Sequence, residues 1–180
     1  MGSEQAMAMV GLFWIAQGDV YVGAKPSGLA PGVRLTPEGV LGLGEGQSGL
    51  RLWEDVSALT VADVPVKSLL RRAGAVKDLA VGTVLMLAQP MGAGPAEEAP
   101  AVMTVRVESS DGVHELAAHV ATASYSRAEV ALSRTLLARL TEGAATMSTT
   151  LAAMAEWGRT REGGTPRGPQ RERLLREWAA

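Results

Sequence analysis

Short apolar runs broken by glycine, proline and aspartate fill the first third of the chain, and this pattern selects antiparallel β structure. Residues 10–16 are apolar, Gln17-Gly18-Asp19 supplies turn chemistry, and residues 20–23 are apolar again. Two β-favouring runs around such a turn predict a hairpin. Residues 25–32 (KPSGLAPG) predict a loop, because two prolines and two glycines break any ladder. In Thr36-Pro37-Glu38-Gly39, Pro37 presets φ and Gly39 tolerates positive φ, so a turn is expected between strands at 33–35 and 40–43. A second turn at 45–49 leads to a short strand at 50–53. Residues 56–66 alternate through Val56, Ala58 and Thr60 and then change phase at Val61 and Val64, as a bulge or bend would produce.

Residues 67–88 mix two periods. Leu69, Ala73, Val76 and Ala80 recur at helical spacing, with Lys67, Arg71, Arg72 and Lys77 mostly off that stripe. The spacing predicts a helix over 67–78, a buried strand over 81–88 and a Pro/Gly/Ala loop over 89–100. Strands return at 102–108, where Met103, Val105 and Val107 form a wholly apolar face. Asp111-Gly112 signals the hairpin turn into a strand over 113–120.

The best-signed helix follows. Ser126 and Glu129 match a capping box, and Tyr125 and Val130 sit where a hydrophobic staple would form. Val130, Leu132, Leu136, Leu137 and Leu140 make one broad apolar face over 126–142, with Gly143 expected as the C-terminal stop. Helices are predicted at 145–157 (Met147, Leu151, Met154) and 170–180 (Leu174, Leu175, Trp178), joined by the linker 159–169. The division expected is a β domain with its capping helix over 1–143 and a helical appendage over 144–180. The last 22 residues carry six arginines and three glutamates, net +3, against −5 for the remainder. A basic tail and an acidic body, together with three large apolar side chains in need of burial, favour docking of the tail on its own body.

Composition removes several functions. The 180 residues contain no cysteine and two histidines, which excludes disulfides, thiolate sites and a multi-histidine metal site within one chain. A net charge of −2 argues against nucleic acid as a partner. No lysine or arginine precedes residue 25, so a signal-peptide n-region is not expected. The longest apolar run, 79–88, falls short of the roughly 20 residues of a membrane span, and a cytoplasmic location is expected.

The motifs that suggest chemistry have simpler explanations. Gly44-Glu45-Gly46-Gln47-Ser48-Gly49 matches G-x-G-x-x-G, but Leu50-Arg51-Leu52-Trp53 continues as a strand where a nucleotide fingerprint needs a helix. His114 and His119 are five apart, not the four that places two ligands on one helix face, and on a strand they fall on opposite faces. Tyr125 and Glu129 match a short Y-x-x-x-E element of some actinobacterial secretion substrates, yet both residues already have structural roles as staple and cap. No nucleophile elbow or Walker loop occurs, and no catalytic constellation, cofactor site or metal site can be named. Lys67, Arg71, Arg72 and Lys77 are the densest basic group of the body and the one candidate binding set, suited to phosphate or an anionic headgroup.

Val33-Arg34-Leu35 followed by Thr36-Pro37-Glu38-Gly39-Val40 resembles the "strand, T-x-E-G, strand" hairpin of bacterial pleckstrin-homology-like domains. Trp53-Glu54-Asp55-Val56 with Leu59-Thr60-Val61 resembles their "W-x-D-I, strand" element, with Val56 in place of isoleucine. The late hairpin at Asp111-Gly112 and the helix from Ser126 are similar to the end of that fold. The likeness covers about residues 8–142, and the whole chain is similar to actinobacterial proteins, which implies no activity. It implies a bent antiparallel β sandwich or barrel closed by an amphipathic helix, with additional C-terminal helices. The insert at 67–100 is long for the family. Gln17-Gly18-Asp19 also lacks the positive charge of the family's lipid-binding loop, which counts against phosphoinositide-type binding.

The leading expectation is a non-enzymatic scaffold or adaptor that offers a sheet edge, the 89–100 loop or the basic tail to a protein partner. The alternatives are a peripheral membrane adaptor using Lys67, Arg71, Arg72 and Lys77, and a small-ligand enzyme of unknown type. Oligomeric state is left open.

Overall fold

The structure, a computed structural model, describes residues 7–67, 101–161 and 164–180. The fold is mixed β and α, with two antiparallel sheets and three helices. The first sheet is a six-stranded meander in sequence order: β1 (Met7–Val10), β2 (Phe13–Ala16), β3 (Asp19–Val22), β4 (Gly32–Leu35), β5 (Gly39–Leu43) and β6 (Gly49–Leu52). The second is β7 (Val56–Ala62), β8 (Val102–Ser109) and β9 (Gly112–His119). Three helices follow: α1 (Arg127–Leu140), α2 (Ala144–Thr160) and α3 (Gly168–Ala179). The expected helix at 67–78, strand at 81–88 and loop at 89–100 fall, apart from Lys67, outside the described residues.

Turn chemistry sets the meander. Gln17 and Gly18 both adopt positive φ, 52° and 87°, so the β2–β3 turn has the twist that a two-residue hairpin needs. The apolar run 10–16 is two strands rather than one. It folds about Gly11 and Leu12, with Val10 opposite Phe13 and Gly11 at φ 59°. An alternating period cannot signal that turn, because Leu12 is itself buried: its N–H donates to the Ser133 hydroxyl of α1 at 3.1 Å. Thr36 closes the β4–β5 turn by donating its hydroxyl to the Gly39 carbonyl at 2.9 Å while accepting from the Gly39 N–H at 3.1 Å. In the β8–β9 turn the positive φ falls on Gly112, at 125°, and Asp111 keeps an ordinary backbone.

The sheets do not close into a barrel. β6 pairs only with β5 and β7 only with β8 among the described residues, and the 3-10 turn Trp53–Asp55 carries the chain from one sheet to the other. This corrects the barrel form of the expected fold. The phase change in β7 is also earlier than its alternation suggests. The register slips between Val56 and Ala58, so Val56, Leu59 and Val61 face the core and Thr60 faces solvent.

One hydrophobic cluster joins both sheets and all three helices. Met103, Val105 and Val107 supply β8, and Val130, Leu136, Leu137 and Leu140 supply α1, with Leu132 half-buried beside them. Ser126 caps α1 by accepting from the Glu129 N–H at 3.1 Å. Gly143 is not the stop of α1. The helix ends as Thr141 donates its hydroxyl to the Ala138 carbonyl, and Gly143 is the N-cap of α2. The tail docks on the body: Leu175 and Trp178 are buried, and Trp178 meets Trp157 edge to face at 5.7 Å. Among the described residues no helix is long and apolar enough to cross a membrane.

Candidate functional site

Of the four cations singled out by sequence, the structure describes Lys67 alone; Arg71, Arg72 and Lys77 lie outside the described residues. Lys67 is exposed, and its backbone N–H donates to the Tyr125 carbonyl at 2.9 Å. His114 and His119 stand five apart on β9, on opposite faces of the strand. The glycine-rich stretch 44–49 is the β5–β6 turn, with Gly44 at φ 103° and Gly46 at φ 82°. Among the described residues no group of three or more histidines and carboxylates is placed to hold a metal. Surface clefts of about 310–380 Å³ flank α2 and the start of α1. The arginines of the α2–β3 cleft are already engaged, Arg34 by Asp19 at 2.6 Å and Arg159 by Glu156 at 3.0 Å.

The sheet edges are more informative, because an edge strand presents unpaired amides and carbonyls that a fold ordinarily blunts or covers. Among the described residues, part of each of three of the four edges is covered or interrupted. At β1, the Met9 N–H donates to the Thr165 hydroxyl at 3.0 Å, so the segment before α3 covers the strand. At β9, Gln47 acts as a one-residue strand. Its side-chain amide accepts from the Ala117 N–H at 2.8 Å and donates to the Ala117 carbonyl at 2.8 Å. The His119 carbonyl next along that edge accepts from the Ala24 N–H at 2.7 Å. At β7, the bulge between Val56 and Ala58 interrupts the start of the strand, and farther along the Leu59 and Val61 side chains are buried.

Among the described residues β6 has none of these devices. The Trp53 N–H donates to the Glu38 carbonyl at 3.2 Å, and Gly39 turns its own N–H and carbonyl toward Thr36 on the β4 side. Antiparallel pairs alternate between bonded and non-bonded, so Arg51 bonds to Val40 while the amides and carbonyls of Leu50 and Leu52 point away from the sheet. Their side chains are also uncovered, 47% and 40% exposed. Edge backbone and apolar side chains are therefore available together over one short strand. Sequence reading found the strand but not its position at an edge, which depends on where the chain leaves the first sheet.

Two ionisable features lie away from this edge. The buried Glu129 carboxylate receives Arg171 Nε at 2.5 Å and Nη2 at 3.1 Å, and these bonds strengthen the hold of the guanidinium on its proton. Burial raises the Tyr125 and Tyr21 phenols above their ordinary value. The Ala121 N–H donating to the Tyr125 oxygen at 2.9 Å partly offsets the first, and Arg34 partly offsets the second. The Y-x-x-x-E element is thus consumed by packing and by the tail's ion pair.

Compared with family models, with curated proteins and with solved structures, the chain matches none.

Proposed function

We propose that the chain is a non-enzymatic, cytoplasmic interaction module on a pleckstrin-homology-like β framework, and that it takes an extended segment of a protein partner onto the outer edge of β6. The Leu50–Leu52 edge, uncovered among the described residues and bearing two exposed leucines on one face, carries this reading. Strand addition draws affinity from main-chain hydrogen bonds and specificity from alternate side chains, and β6 offers both. The family likeness is supported by the two motifs that suggested it: Trp53 Nε1 donates to the Thr36 carbonyl at 2.6 Å, tying the T-x-E-G hairpin to the tryptophan element. The basic tail is a poorer docking surface, because Leu175 and Trp178 are spent on the chain's own core. The membrane-adaptor alternative rests on four cations of which Lys67 alone is described, and no other observation favours it.

The test is a proline placed by register. Leu50→Pro removes an outward N–H and leaves the bonds to β5 intact, so the fold should persist. Arg51→Pro removes an inward N–H and should destabilise the sheet. Proteins captured from a cell lysate by the native chain and lost with Leu50→Pro, at unchanged melting temperature, are the expected outcome. An identical set on both baits would remove the reading.

A further inference from the structure

The charge around β6 narrows the partner. Glu45 precedes the strand, Glu54 and Asp55 follow it, and Glu38 lies beside Trp53 across the turn; all four are exposed. None of the four forms an ion pair among the described residues. Between residues 44 and 56 the sequence has one cation, Arg51. It points to the face opposite Leu50 and Leu52, and its Nη1 lies over Gly42, at 3.6 Å from where a Cβ would stand there. The apolar edge is therefore bracketed at both ends by carboxylates that pair with no cation among the described residues.

From this we infer that the occupant of the β6 edge is a basic extended peptide: a short alternating apolar segment with lysine or arginine at each end. The inference rests on the β6-edge reading above and adds the partner's charge. A second copy fits poorly. Antiparallel pairing of β6 with itself would set Glu45 of one copy against Glu54 and Asp55 of the other at both ends, and like charges brought together oppose association. An acidic peptide meets the same repulsion. A basic peptide gains on-rate and register from the same carboxylates.

The experiment is selection of a random short-peptide display library on the full chain, with Leu50→Pro as the counter-selected bait. Recovered peptides should alternate apolar residues and carry flanking lysine or arginine. A synthetic copy of the leading one should bind the E45Q/E54Q/D55N variant about tenfold more weakly at low salt. High salt should erase most of that difference. Peptides that depend on Leu50 but show no excess of basic residues would overturn the inference and leave the edge reading standing. If no peptide survives that counter-selection, the edge reading falls and the inference with it. Concentration-dependent dimerisation of the native chain that Leu50→Pro abolishes would identify a second copy as the occupant and likewise overturn the inference.

Discussion

Gln47 is the residue on which the junction of the two sheets turns. Besides its two bonds to Ala117, its Nε2 lies 2.9 Å from the Leu43 carbonyl and 3.2 Å from that of Gly32. Gln47→Ala removes these bonds at once and strands the Ala117 N–H in a part-buried site. Two amide hydrogens and one accepting oxygen make at most three bonds here, and a net loss of about 1 kcal/mol for each predicts a destabilisation of about 3 kcal/mol in urea unfolding. A loss below about 0.5 kcal/mol would show that the sheets hold together without it. The tyrosines give a second test at this scale. The chain has two, and burial raises both above the usual 10.0. Ultraviolet titration of the folded chain should therefore show less than half the phenol ionised at pH 10, where a free phenol is half ionised. Because the folded state holds these protons longer than the unfolded state, their contribution to stability is full below pH 10 and is lost as the pH rises through the folded values. A midpoint at or below 10 would contradict the packing described for Tyr21 and Tyr125.

At the scale of the element, the C-terminal helix is fixed by one ion pair and two side chains. The Glu129 side chain is 6% exposed and the Arg171 side chain 21%. Removing one partner of a pair buried to this degree leaves an uncompensated charge, so Arg171→Ala is expected to cost about 3 kcal/mol. Glu129→Ala should be costly too, and the double variant should lose clearly less than the two combined; strictly additive losses in thermal unfolding would place the pair outside the core. This pair shows where sequence reading stops. Ser126 and Glu129 marked the start of α1 correctly, because the cap is a local bond between the Ser126 hydroxyl and the Glu129 N–H. The reciprocal half of the capping box is not used, since Arg171, 42 residues away, takes the Glu129 carboxylate. Local periods likewise marked the apolar face of β8 and the buried positions of α2 and α3. They did not mark the Gly11–Leu12 turn, where tertiary contact with Ser133 makes a turn residue as buried as a strand residue. They also misassigned Gly143, because a glycine between two close helices reads equally well as the end of one or the start of the next.

At the scale of the whole molecule, the described residues cover or interrupt part of three sheet edges and leave that of β6 uncovered. Pairing by Gln47, Thr165 and Ala24 is long-range and no local pattern announces it, so the contrast with β6 emerges only from the folded chain. The charge bracketing that edge was present in the sequence all along, as Glu45, Glu54 and Asp55, but it acquired meaning only when the six-stranded sheet was found to end at β6. Residue-resolved amide hydrogen exchange on the free chain measures this directly, since protection follows the bond each N–H makes. The Arg51 amide, turned toward Val40, should exchange orders of magnitude more slowly than those of Leu50 and Leu52, which should exchange as open amides. Protection of Leu50 and Leu52 equal to that of Arg51 would mean that the edge is already occupied, and would contradict the interaction surface proposed here.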